Sequence, residues 1–188
     1  MAAVAAAAIV AWLHLVPSDY DVVRHGVSAY GVGRRAPWYR AQVVITGAGG
    51  LLLLAALVRG TSASPAGLAF LAAYAVSRAA IARYPTDLEG QPMTRTGAIH
   101  ALLAAVSFAS LAAAAPLIAM SLTRAEVGGH DTAVQALSAA VAVSALATFG
   151  AGLIRQIRPA FGLIERAFYA TSLGWLIVVG LALAVGRA

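Results

Sequence analysis

The 188-residue chain has no cysteine and no lysine, and only 11% of its residues are charged. The missing thiols exclude disulfides, thiolate metal ligands and cysteine nucleophiles, and leave the redox compartment open. The scarcity of charge is the stronger constraint. A soluble domain of this length would bury about 70% of the surface its unfolded chain exposes and would need a polar coat for the remainder. With 61% hydrophobic residues and a mean hydropathy of +0.84, this chain has too few polar side chains to make one. Its charges fall in short segments between long apolar runs, as bilayer-spanning helices require. The histidines at 14, 25, 100 and 130 show neither H-x-x-x-H nor H-E-x-x-H spacing, so a local zinc motif is absent. No G-x-S-x-G elbow, internal repeat or soluble domain is visible either.

What the chain does have is a series of apolar stretches, each near the roughly 20 residues that cross a hydrocarbon core. They predict an all-α polytopic transmembrane bundle of about six helices, a single membrane domain with spans at 1–16, 41–58, 66–83, 97–122, 132–154 and 165–186. The first stretch is short and stops at Pro17. It lacks the basic region of a secretory leader and is read as a short first helix, partly in the interface. Ser64 and Pro65 suit the N-cap and first position of the third helix, and Asp131 suits a cap for the fifth. Pro116 should kink the fourth helix or end it. Gly47, Gly49 and Gly50, and Gly150 and Gly152, offer close helix approach, while Ser138, Ala145, Thr148 and Gly152 share one face of the fifth helix.

Thirteen arginines oppose seven acids, for a net charge of +6. They flank apolar spans, so topology and anionic headgroups account for them better than nucleic acid does. The odd-numbered loops and adjoining helix ends carry Arg24, Arg34, Arg35, Arg40, Arg83, Arg95, Arg155, Arg158 and Arg166. The other face carries Arg59, Arg124 and Arg187. The positive-inside rule therefore places the odd loops in the cytoplasm of a multi-pass cell-membrane protein. Trp38, Tyr39 and Tyr84 read as interfacial anchors.

Ionisable residues inside a membrane are costly and mark where function would sit. Arg78 lies roughly 7.5 Å deeper than Arg83 at the helical rise. It either snorkels to the headgroups or faces the bundle to pair with Asp87, Glu165 or an anionic ligand. Asp87 and His100 flank one loop, and Asp19, Asp21, His25 and Ser28 lie in the long first loop. Ser28, His100 and Asp87 supply the residue types of a nucleophile, base and orienter, although structural networks gather such residues too. His25, Asp87 and His100 are the candidate metal ligands; Arg78, Arg83, Asp87, Arg95, His100, Glu165 and Arg166 are the candidate ligand-binding residues. Glu165 is equally explained as an acid near a helix start, where the macrodipole favours it.

Four short motifs follow one another around these spans: Ser28-Ala29-Tyr30-Gly31, Tyr84-Pro85-Thr86-Asp87, Gly97-Ala98-Ile99-His100, and Gly162-Leu163-Ile164-Glu165-Arg166, with Trp175 in the last helix. In order and spacing they resemble a bacterial and archaeal membrane family, domain-of-unknown-function family 998, over nearly the whole chain. Tyr84 stands where that family often has phenylalanine. The resemblance implies a compact multispanning bundle with a polar cluster at one face, and it brings no established reaction or cofactor.

Three functions are weighed in descending order. The first is binding or transport of an anionic lipid headgroup or small anion at the arginine-rich face. The second is a structural or accessory role, alone, as an oligomer or within a membrane complex. The third is an interfacial lipid-active hydrolase using His100, Asp87 and Ser28.

Overall fold

A computed structural model describes residues 1–18 and 20–186; Asp19 and Arg187 lie outside the described residues. Six helices account for most of the chain: α1 (Ala2–Leu15), α2 (Ala36–Gly60), α3 (Pro65–Ala80), α4 (Arg95–Ser121), α5 (Asp131–Leu153) and α6 (Phe161–Val185). Short 3-10 turns occupy Val27–Gly31, Gly33–Arg35, Ile81–Arg83 and Arg158–Ala160, and no strand is present among the described residues. Consecutive helices pack side by side, and α6 returns against α1 and α2 to close the ring.

Local chemistry explains where the helices begin. Ser64 Oγ accepts from the Gly67 N–H at 3.4 Å, with Pro65 at the first helical position, as expected from the sequence. Thr94 caps α4 in the same way, accepting from the Gly97 N–H at 3.0 Å. The expected cap at Asp131 is corrected: His130 occupies the cap position, and Asp131 is the first helical residue, 3.6 Å from Arg124. Pro116 sits inside α4, which runs on to Ser121 and does not end early. Proline at position 37 and the turn at 158–160 start α2 and α6 several residues before their apolar runs.

Five of the helices are long and apolar enough to cross a membrane, and the chain is therefore a multi-pass membrane protein. The first expected span, at 1–16, is not one of them. At 14 residues, α1 is about 21 Å long, against a hydrocarbon core of about 30 Å. Its start lies beside the middle of α2, because a Cβ on Gly49 would stand 3.3 Å from that of Ala2. Thus α1 covers the bundle only at the end where the odd loops lie.

The core is apolar with a few partnered polar groups. Trp175 is fully buried and donates from Nε1 to Ser138 Oγ at 2.8 Å, which joins α6 to α5. Phe108 and Phe168 meet with ring centroids 4.2 Å apart. Gly47 allows α3 to approach closely: a Cβ there would lie 2.6 Å from the Ala75 carbonyl oxygen. The same expectation for Gly152 is corrected, since nothing lies within 4 Å of a Cβ at that position. Ser138, Ala145 and Thr148 are buried on their shared face, whereas Gly152 is exposed.

At the even-loop end, Glu126 joins two connections. Its carboxylate accepts from the Ser62 N–H at 2.5 Å and the Thr123 N–H at 2.6 Å. Both hydroxyls also donate to it, at 2.9 and 2.8 Å.

Candidate functional site

The polar residues singled out in the sequence gather at the odd-loop end, where they form two fastenings and one buried core. The first fastening holds the segment between α3 and α4. Asp87 accepts from the Thr94 N–H at 2.8 Å and from the Thr94 hydroxyl at 2.9 Å. Thr94 in turn caps α4, so the carboxylate steadies the cap itself. Gly97 is required at this contact, because a Cβ there would collide with the Asp87 carboxylate. One turn on, His100 Nδ1 is 2.6 Å from the Tyr84 carbonyl oxygen, which fixes the other end of the segment. A neutral or charged imidazole donates from Nδ1 in this geometry.

The second fastening holds the first loop on the start of α6. Glu165 accepts from the Val27 N–H at 2.6 Å. The Leu163 N–H donates to the Val23 carbonyl at 3.1 Å. Arg166 Nη1 donates to the carbonyls of Val22, His25 and Gly162 at 2.7, 2.7 and 2.8 Å. Its Nε donates to His14 Nε2 at 2.6 Å, which ties in the end of α1. Gly162 leaves room for the loop, since a Cβ would fall 2.8 Å from the Val22 carbonyl oxygen and still closer to that of His25. The motif Gly162 to Arg166 is therefore a seat for residues 22–27.

Between the fastenings lies a buried cation. Arg78 is 3% exposed and does not snorkel, which removes that alternative. Its guanidinium carbon stands 4.4 Å from the centroid of the Tyr169 ring, and the buried Tyr39 and Tyr74 lie close to the same charge. Ser172 Oγ donates to the Tyr169 carbonyl at 3.0 Å beside them. Glu165 is 5% exposed and feels the Arg78 charge, but the two form no ion pair within 4.0 Å. Arg78 is thus held by an aromatic cage from α2, α3 and α6 with a carboxylate in its second circle, not by a direct bridge to Asp87 or Glu165.

The sequence reading missed the tyrosines of this cage. Tyr39 was expected at the interface, yet it is 3% exposed. Its place on the first turns of α2, beside the buried Gln42 and Val43, was the available signal. Trp38 is 51% exposed and stacks on Trp12 with centroids 5.0 Å apart, as an anchor would.

The remaining candidates do not converge. No hydrogen bond links Ser28 to Asp87 or His100, and Ser28 lies instead near Gly26 and the Glu165 carboxylate. His25 Nδ1 accepts from the Asp21 N–H at 2.9 Å, within its own turn. The Val23 N–H holds the Asp21 carboxyl below its ordinary pKa, against a desolvation that would raise it. Among the described residues no three His, Cys, Asp or Glu side chains come together where a metal could be held. Arg83 and Arg95 are exposed.

Other arginines do converge. Arg24 from the first loop and Arg155 and Arg158 from the fifth line one open depression of about 420 Å³, with Glu89 and Pro159 on its wall. All three guanidinium-bearing residues are exposed. Guanidinium groups in such a cluster offer paired N–H donors to phosphate or carboxylate oxygens.

Comparison with curated proteins and with solved structures finds no match. A family profile, described as "Protein of unknown function (DUF998)", matches residues 1–182. That span contains both fastenings, the caged arginine and the arginine-lined depression, and the chain belongs to this family.

Proposed function

We propose that the protein binds an anionic group, the headgroup of a membrane lipid or a small anion of the same phosphate or carboxylate chemistry, at its odd-loop face. The observation that carries this reading is the meeting of Arg24, Arg155 and Arg158 in one open depression. Three cations against the single acid Glu89 leave a net positive site, and none of the three is consumed by an ion pair within 4.0 Å. The loops that bear them come from distant parts of the chain, and the Arg166 and Glu165 contacts hold the first of those loops in place.

Asp87, His100, Glu165 and Arg166 act in this reading by fastening loops that shape the face. Arg78 supplies a fixed interior charge behind it. The arginine excess at this end supports a cytoplasmic face, the side on which anionic lipids also concentrate. The bonds of His100 and Asp87 go to Tyr84 and Thr94 and not to Ser28, so binding is preferred to hydrolysis.

The test is a pair of titrations of the detergent-purified protein, one with glycerol phosphate and one with phosphatidylglycerol in nanodiscs. Replacing Arg155 and Arg158 together by Gln should weaken binding by about tenfold or more, since each lost charged contact is worth a sizeable fraction of that free energy. Binding of the soluble anion identifies a small-anion site, whereas binding of the lipid alone identifies a headgroup site. Equal affinity of the wild type and the double variant for both ligands would overturn the proposal.

A further inference from the structure

A second feature faces the membrane rather than the water. Between α1 and α6 runs a groove of about 480 Å³, lined by Ala7, Val10, Ala11, Leu173, Gly174 and Ile177. It exists because α1 packs chiefly on α2 and meets α6 less closely, and because small residues line its α1 side. Its walls are helices of the bundle, so it opens to the hydrocarbon, where acyl chains are the available occupants.

One end of the groove is polar. His14, Arg166 and Tyr169 border it. Arg166 spends Nε and Nη1 on four protein acceptors, while its Nη2 is buried without a hydrogen-bond partner. Buried donors on a charged group are costly when left unmade, and an oxygen-rich anion would satisfy them.

We infer that the groove between α1 and α6 seats one acyl chain of an anionic glycerophospholipid, with its phosphate drawn to the Arg166 end. The apolar length on one side and the cation at its end match the two halves of that molecule. The α1 helix reaches only halfway across, so a lipid from the odd-loop leaflet has the right depth to enter. This site is separate from the arginine depression and stands or falls independently of it.

The experiment is native mass spectrometry of the detergent-purified chain incubated with equal amounts of phosphatidylglycerol and phosphatidylcholine. In the Arg24→Gln, Arg155→Gln and Arg158→Gln background, where the depression no longer holds an anion, the expected result is one retained phosphatidylglycerol per chain, favoured over phosphatidylcholine by about tenfold. Ala11→Phe should abolish retention by filling the groove, and because Ala11 is exposed the thermal unfolding temperature should stay unchanged. Arg166→Lys should lose the headgroup preference. Should that variant fail to fold, Ala11→Phe still decides the matter. The Arg24→Gln, Arg155→Gln and Arg158→Gln triple variant should keep the bound lipid, which separates this site from the depression. Equal retention of the two lipids by the triple variant, or undiminished retention when Ala11→Phe is added to it, would overturn the inference.

Discussion

Asp87 lays its carboxylate directly against the bare Cα of Gly97, and from there it holds the Thr94 cap of α4. Two motifs separated in the sequence are thereby one structural unit. Gly97→Ala should displace the carboxylate and cost about 1–3 kcal/mol of stability, the usual range for an inserted methyl in a packed site. Thermal unfolding in detergent reads this. Asp87→Ala should lower stability too, by loss of the cap support, and an unaltered melting temperature in both variants would show that the contact is idle.

Arg78 should tolerate little. Its guanidinium lies buried against the Tyr169 ring, with the Glu165 carboxylate near enough to feel its charge, so Arg78→Met removes the cation from the cage. A loss of about 1–3 kcal/mol is expected, the usual range when buried polar groups lose a partner. Arg78→Lys should recover only part of it, because an ammonium cannot stack on the Tyr169 ring as a planar guanidinium does. Chemical unfolding of the three proteins gives the order.

Glu165→Ala should free the first loop without unfolding the bundle. The loop would lose the 2.6 Å bond at Val27, and the exposed Arg24 should become a faster site of trypsin cleavage. Limited proteolysis followed by mass analysis measures the rate. Cleavage at Arg24 no faster than in the wild type would mean that the Arg166 bonds alone hold the loop.

Acid should loosen the opposite end. Glu126 loses some hydration where it sits, which raises its pKa, but four hydrogen bonds from Ser62 and Thr123 outweigh this and hold the carboxyl down at about 2, from an ordinary 4.5. A depressed folded-state pKa contributes stability that is present above the unfolded value and is lost as pH falls through the folded one. The contribution should therefore fade between about pH 4.5 and about pH 2, and only modestly, because the site is exposed to solvent. Glu126→Gln should flatten that part of the stability profile, as followed by thermal unfolding across the range.

The helices were legible because length and apolarity are properties of contiguous sequence, and the Ser64-Pro65 start could be read from two neighbouring residues. The motifs around His100 and Glu165 were legible as places that matter. Their roles were not, since a hydrogen bond from Val27 to Glu165 leaves no trace in the spacing of either motif. The tyrosine cage was hidden for a related reason. An aromatic residue near a helix end suits an interfacial belt or a bundle interior equally well, and Tyr39 and Trp38 divide between the two. Arg24, Arg155 and Arg158 were counted for topology alone, because loops far apart in sequence meet only in the folded ring.

The seat of the first loop also sets an order of events during synthesis. Val27 leaves the ribosome 138 residues ahead of the carboxylate that holds it. At about 5–20 residues per second that is a wait of about 7 to 28 s. Throughout it the first loop has no anchor on α6, and the arginine-lined face stays open until the last helix arrives. A chain interrupted before Glu165 would insert most of its helices and still lack that face, so the final span serves as the closing signal for a structure begun at the other end of the message.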